Sequence, residues 1–336
     1  MTEIRKNIMA TRSFRSRIID FVLEYLIVFM LVALVVITSI VEPNFLTRQN
    51  FINLMNQFGP LSFVALGMTF VIIGGFIDLS VPGMLSLTAM ITLLLVEPIG
   101  EIPALLIGLV FGTFLGAVNG ALLVKSGATT QAKALFITFG MSQVYRAIGL
   151  LIRQGQVMYR SFFERPMPIT DALGSGTVGP FSVSFVVFLF FLVLLYILHK
   201  KTHIGRSINY TGGNIVAAEL GGIPTKRIMI FIYALCGFMT AVSAIVLFAR
   251  TPVTSPAVGD FFERNAIMAV VVGGTSLLGG KGSVLRTVFG VSLVILLFNC
   301  LNLLGVQTNL QEVVRGAILL VAIWIDLLRY RRGLVK

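Results

Sequence analysis

The chain has 336 residues, 57% of them hydrophobic and only 12% charged, with a mean hydropathy of +0.96 and a formal net charge of +12. A water-soluble domain cannot hide that much apolar surface. The apolar runs are continuous rather than alternating, which excludes a membrane β-barrel and leaves an all-α polytopic membrane protein.

In chain order, residues 1–20 form a basic N-terminal stretch with Arg5, Lys6, Arg12, Arg15 and Arg17. The apolar run at 21–41 follows. It is too long for a signal-peptide core and lacks a cleavage site, so it reads as a retained first helix. Further spans are expected at 54–75, 83–97, 102–124, 134–152, 181–199, 227–249, 265–280, 284–304 and 311–328, about ten transmembrane helices in all. The transmembrane domain is thus 21–328, and a basic tail occupies 329–336. Most of the 26 cations fall at the N-terminus, in alternate connections (Lys125 and Lys133; Lys200, Lys201, Arg206, Lys226 and Arg227; Lys281 and Arg286) and in the tail. That distribution follows the positive-inside rule, places both termini in the cytoplasm, and argues against a nucleic-acid partner. The turns at 76–83 and 279–283 are either true loops or broken, re-entrant elements. The longer external segment 153–180 is either a contact surface for an outside partner or a simple connector.

Small and polar residues organise the interior. Gly108, Gly112, Gly116 and Gly120 recur every four residues, a stripe that lets another helix backbone approach closely. Gly74-Gly75 before Gly83, and Gly273-Gly274 before Gly282, echo one another as structural repeats with broken helices do. Asp78 and Ser80 lie together at a helix break, either as a pathway or gate element or as a cap on the following helix. Asn56, Gln57, Asn119, Gln143, Asn299 and Asn302 either line a route for a polyhydroxylated solute or bond between helices. Thr275 and Ser276 follow the second glycine pair and are taken with Gly273 and Gly274 as path or gate residues. Arg146 and Arg315 are expected to snorkel from the outer ends of spans.

Several chemistries find no support. Cys236 and Cys300 sit in apolar spans as packing residues. The stretch Gly279-Gly-Lys-Gly-Ser283 fails the phosphate-loop rule, because Thr275 stands where a glycine is needed and Gly282 follows Lys281. His199 and His203 have helical metal-ligand spacing but no third ligand nearby. No catalytic constellation appears, so no enzyme is expected. No run of carboxylates forms an ion relay, which counts against the alternative of an ion-coupled secondary transporter.

Segment 212–224 stands apart. Gly212-Gly213, Asn214 as N-cap, Ala217-Ala218, and a Gly221-Gly222/Pro224 stop predict a two-turn helix, too polar to span and too short to stand alone. It reads as a docking surface for another protein. Its pattern Asn214-x-x-Ala217-Ala218-x-x-x-Gly222-Ile223 resembles the coupling segment of permease subunits in ribose-type sugar ABC importers, relatives of the branched-chain amino acid permeases. Gly75-Phe-Ile-Asp-Leu-Ser-Val81, Gly116-Ala-Val-Asn-Gly120, Val271-Val-Gly-Gly-Thr-Ser-Leu-Leu-Gly-Gly-Lys-Gly-Ser283, Asn302-Leu-Leu-Gly-Val306 and Val313-Val-Arg-Gly316 are similar to other stretches of that family, in order, over about 50–328.

The resemblance implies a subunit of a bacterial inner-membrane importer. ATPase subunits holding ATP and Mg would dock on Gly213, Asn214, Ala217, Ala218, Glu219, Gly222 and Ile223. This chain would bind no cofactor itself. An external sugar-binding protein would deliver solute to a path formed with a second permease chain, and the path or gate residues here would be Asp78, Ser80, Asn119, Gly273, Gly274, Thr275, Ser276, Asn299 and Asn302. The chain departs from the family pattern at Pro82 (usually Gly), Lys133-Ala134 (usually Pro-Pro), Asn265 (usually Asp, with Glu263 retained) and Arg286 (usually Gly). These departures raise the expectation of a heterodimer with a different permease chain.

Overall fold

A computed structural model describes residues 14–331, with side chains from 28 to 328. The basic residues of 1–13 and 332–336 lie outside the described residues. Among those described are thirteen α-helices: α1 (Phe14–Val41), α2 (Arg48–Ile73), α3 (Val81–Ile99), α4 (Glu101–Lys125), α5 (Gln131–Arg153), α6 (Pro168–Ser175), α7 (Val183–Lys201), α8 (His203–Gly213), α9 (Ile215–Leu220), α10 (Thr225–Arg250), α11 (Phe262–Val272), α12 (Val284–Leu303) and α13 (Thr308–Arg331). Seven of them, α2, α3, α4, α5, α7, α10 and α12, are long and apolar enough to cross a bilayer. The all-α polytopic architecture is therefore as the sequence predicts, and among the described residues seven of the ten expected spans have that length and hydropathy. The expected span at 265–280 is the clearest correction: its helix, α11, has 11 residues and stops at Val272.

The reason is glycine geometry. At the end of α11, Gly274 takes φ +87° and donates its N–H to Val271 O (2.8 Å), while Thr275 N–H reaches Val270 O (3.2 Å). The end of α2 repeats this: Gly75 has φ +86° and bonds Ile72 O (2.9 Å), and Phe76 N–H bonds Val71 O (3.1 Å). Both are left-handed C-terminal caps that satisfy the last carbonyls and turn the chain away. The echo between 74–75 and 273–274 is thus a repeated structural device: the first ends a full-length span, and the second stops α11 short of one.

Hydroxyl and amide caps start five of the helices. Thr47, Thr130, Ser182, Thr202 and Asn214 each accept a backbone N–H three residues on. Such caps satisfy donors that hydrocarbon could not. The core lies where α2, α4 and α10 meet, with Phe63, Phe70, Tyr233 and Phe248 fully buried. The small-residue stripe builds the α4–α10 contact. A Cβ on Gly116 would overlap the Tyr233 carbonyl oxygen, and one on Gly120 would lie 2.7 Å from Ile230 Cα. Gly108, at the far end of the stripe, faces Thr92 of α3. In lipid such backbone proximity supplies the packing that the hydrophobic effect supplies in water. Cys236 and Cys300 are free and buried, and Cys300 Sγ accepts from the Thr38 hydroxyl.

At one end of the bundle, segment 153–180 is folded rather than a bare connector. Met158–Tyr159 pairs antiparallel with Val253–Thr254, and Thr177–Val178 pairs with Phe181–Ser182. Two carboxylates pin the segment down. Glu101 accepts the N–H groups of Ile169 (3.0 Å) and Thr170 (2.6 Å) at the start of α6, and Glu97 accepts those of Glu164 (3.2 Å) and Arg165 (3.4 Å). Glu101→Leu leaves two N–H groups unbonded, at roughly 1–3 kcal/mol each. The segment should then open more often, and limited trypsin digestion at Arg160 should quicken at least about tenfold, since cleavage tracks the open population. An unchanged digestion rate would show that Glu101 does not hold the segment.

Candidate functional site

At the opposite end of the bundle lie α8, α9 and the 273–283 loop. Asn214 caps α9 by accepting the Ala217 N–H at 3.0 Å. Ala218 is buried, and its carbonyl accepts the Ile223 N–H at 3.0 Å. The Glu219 carboxylate accepts the Thr225 hydroxyl at 2.5 Å, and Gly222 turns the chain at φ +80°. Ala218 is thus buried and Ile223 half-buried, while Gly213, Asn214, Ala217, Glu219 and Gly222 are exposed. The outward face also carries apolar residues that sequence reasoning passed over. Leu220 is 87% exposed, the most exposed large hydrophobic among the described residues, with Val216 and Tyr210 at 62%. Val216 and Leu220 are four apart and so share one helix face.

The break between α2 and α3 holds the buried polar group. Asp78 Oδ1 accepts the Ser80 N–H (2.9 Å) and the Ser80 hydroxyl (2.5 Å), and Asn119 of α4 donates to Ser80 Oγ at 2.7 Å. The Tyr145 hydroxyl of α5 donates to Asn119 Oδ1 at 2.8 Å, and that of Tyr233 in α10 to the Ile77 carbonyl at 3.0 Å. Asp78, Ser80 and Asn119 are fully buried. They form a bracket that fixes the break against three helices; Asp78 holds Ser80, the residue before α3, and no side chain caps the first turn of α3 itself.

Asn299 exchanges amide bonds with Asn50 (2.7 and 3.1 Å), joining α12 to α2. Asn302 accepts from Gln311 at 2.8 Å, joining α12 to α13. Gly273, Gly274, Thr275 and Ser276 form the α11 break, with Ser276 N–H bonded to Lys281 O at 3.0 Å. The two histidines part company. His199 Nε2 lies 3.1 Å from Asn209 Oδ1, and His203 Nδ1 accepts from Arg206 at 2.8 Å.

A cleft of about 330 Å³ opens between the start of α3, the middle of α5 and residues 256–264. Gln143, Arg146, Asp260, Glu263 and Arg264 supply its polar groups, and Phe139 and Phe261 its apolar walls. Arg146 pairs with Asp260 at 3.1 Å, and Arg264 with Glu263 at 3.4 Å. The Arg264 guanidinium also lies 4.2 Å over the Phe261 ring. Beside it, Asn265, Glu312 and Arg315 line a smaller cavity of about 70 Å³, with Arg315 bonded to Glu312 at 2.5 Å and stacked on Phe298. The expected snorkelling of Arg146 and Arg315 is therefore replaced by ion pairs. Glu263 Oε2, Asn265 Oδ1 and Arg315 Nε are buried and find no partner among the described residues. Groups of this kind are costly against lipid tails, so this side of the bundle faces water or protein.

A membrane bundle with a polar cleft on one flank and a short helix presenting exposed apolar residues at one end has the make-up of a transport subunit. The chain belongs to the family described as branched-chain amino acid transport system / permease component, which matches residues 50–323. It is 34% identical over 310 residues to the ribose import permease protein RbsC of Haemophilus influenzae, covering 91% of this chain and 94% of the relative. RbsC of Escherichia coli is 35% identical over 301 residues, covering 88% and 91%. The D-allose transport system permease protein AlsC of E. coli is 30% identical over 303 residues, covering 89% and 90%. No solved structure is detectably similar. The resemblance to permease subunits of ribose-type ABC importers is thereby borne out.

Proposed function

We propose that this chain forms half of the translocation path of an ATP-driven importer for a monosaccharide or a close relative. The cleft carries this reading. Its volume of about 330 Å³ falls within the ~300–1,000 Å³ of small-molecule sites. Its amide, carboxylate and guanidinium groups suit the hydroxyls of a neutral sugar, and its two phenylalanines suit a sugar's apolar face. The ribose and allose names of the relatives favour the same solute class. ATP and Mg belong to a partner ATPase docked on α9, whose hydrolysis switches the path between its two open states. A sugar-binding protein delivers solute to the end carrying α6. The chain sits in a bacterial inner membrane with both termini and α9 in the cytoplasm.

The second permease chain covers the flank holding Asn265 and Arg315. We infer a different sequence for it, because Asn265 and Arg286 depart from the family pattern and Asn265 Oδ1 has no partner among the described residues. A purified complex containing a single permease sequence would overturn that inference.

Uptake of labelled ribose and allose into proteoliposomes holding the whole complex tests the reading. ATP-dependent uptake is expected for at least one sugar. Gln143→Leu should raise its KM roughly tenfold by removing one hydrogen-bonding group, worth about 1–1.5 kcal/mol, with the ATPase still bound. Uptake that proceeds without ATP would make the chain a secondary transporter.

A further inference from the structure

The two helix breaks and the docking helix meet at a joint made only of backbone. The Ile73 carbonyl at the end of α2 accepts the Gly280 N–H at 2.7 Å, tying the α2 break to the 273–283 loop. Gly212, in the last turn of α8, lies against this bond. A Cβ there would overlap the Ile73 carbonyl oxygen and sit 2.7 Å from Gly280 N and 2.8 Å from the Gly74 carbonyl carbon. From the other side, a Cβ on Gly279 would lie 2.6 Å from Gly75 Cα, and one on Gly280 2.7 Å from Gly213 Cα. The same loop is held to α5 by the Gln131 side chain, which donates to Leu277 O at 3.0 Å. It is held to α13 by Asp326, which accepts the Leu277 N–H at 3.2 Å. After Gly213, the cap Asn214 alone precedes α9.

We propose that Gly212 is a positioning residue of the transport cycle, through which movement of the docking helix is passed to both helix breaks at once. The inference rests on α9 being the docking element for an ATPase. Its physical basis is the absence of slack. Side chains can change rotamer and absorb a displacement, whereas backbone atoms already in contact cannot. A rotation of α8 and α9 therefore has to carry the Ile73–Gly280 pair with it. That pair moves the α2 break on one side and the α11 break on the other, with α5 and α13 attached through Leu277. Any side chain at position 212 would wedge this joint apart while leaving the exposed face of α9 intact.

The experiment compares wild type, Gly212→Ala and Gly140→Ala in proteoliposomes that contain the permease, its ATPase and its binding protein. Gly140 of α5 has open space where its Cβ would be and belongs to neither the joint nor the docking segment, so alanine there controls for glycine replacement in a helix. Gly212→Ala is expected to retain the ATPase in wild-type amount and to keep basal ATP hydrolysis. Its ATP-driven uptake should fall at least ~5-fold, the lower end of typical coupling between sites. Gly140→Ala should transport as wild type does. Normal uptake by Gly212→Ala overturns the proposal, and so does uptake lost in step with the ATPase, which would put Gly212 in the docking surface. Wild type that purifies without any ATPase would instead sink the docking reading. Should Gly212→Ala fail to accumulate, amide exchange on the wild-type complex decides the matter. Peptides covering 74–80, 209–215 and 276–283 should change protection together when ATP and vanadate are added, and a change confined to 209–215 overturns the proposal.

Discussion

Leu220→Asp, and more completely Val216→Asp with Leu220→Asp, should leave the chain in the membrane at wild-type level and strip the ATPase from it. Both side chains stand out from α9, Leu220 at 87% and Val216 at 62% exposure. Neither takes part in the bonds that hold α9 in shape, which run through Asn214, Ala218, Glu219 and Thr225. Folding of the chain therefore has little to lose. An interface has much to lose, because burying a leucine or valine contributes about 1.5–3 kcal/mol and a buried unpaired carboxylate adds a further penalty. Anchors of this kind often cost 2 kcal/mol or more when truncated, so the affinity of the double variant should fall by two orders of magnitude or more. Co-purification in mild detergent reads the result, with Ala217→Arg as a steric comparison on the same helix. Retention of the ATPase by the double variant would move the docking surface elsewhere.

Sequence periodicity was a good guide wherever a run was long and uniformly apolar, because hydrocarbon leaves helices as the only option. It failed at 265–280, where hydropathy stays high while Gly273 and Gly274 stop the helix. Hydropathy measures where a residue is content to sit, not whether its backbone continues a helix. The repeat of the glycine pair did carry that information. The docking segment was readable for a related reason: Asn214, the alanines and the glycine stop are local signals, and local signals survive translation into structure. The exposed apolar pair beside the motif was passed over: Val216 and Leu220, four apart on a helix too polar to span, stand out next to the exposed Asn214, Ala217 and Glu219.

The polar residues were harder to sort. Asp78, Ser80 and Asn119 form one dry bracket, and Asn299 and Asn302 cross-link helices, whereas Gln143 opens onto a cleft. Nothing in a one-dimensional pattern distinguishes an amide that bonds a neighbouring helix from one that faces a cavity. The charged lining supplied by Asp260, Glu263 and Arg264 comes from a segment whose position depends on the pairing of Met158–Tyr159 with Val253–Thr254, a contact between residues nearly a hundred positions apart.

Gly116→Ala should destabilise the chain although intrinsic helix propensity favours the substitution. Alanine in place of glycine inside a helix ordinarily gains up to about 1 kcal/mol. At Gly116 the new methyl would overlap the Tyr233 carbonyl oxygen and come within 3.0 Å of Gly237 Cα and N. Backbone cannot rotate aside, so α4 and α10 must separate, and small-to-large changes of this kind cost about 1–3 kcal/mol or more. The displacement also reaches the bracket at the α2 break, since Asn119 lies one turn beyond Gly116 on α4 and Tyr233 itself holds the Ile77 carbonyl. Gly140 of α5 supplies the control, because no atom lies within 4 Å of where its Cβ would be. Thermal aggregation of the purified chain in one detergent should show Gly116→Ala below wild type, Gly116→Leu lower still, and Gly140→Ala at or above it. Equal responses at positions 116 and 140 would mean that propensity, not the close approach of two backbones, sets the cost along this stripe.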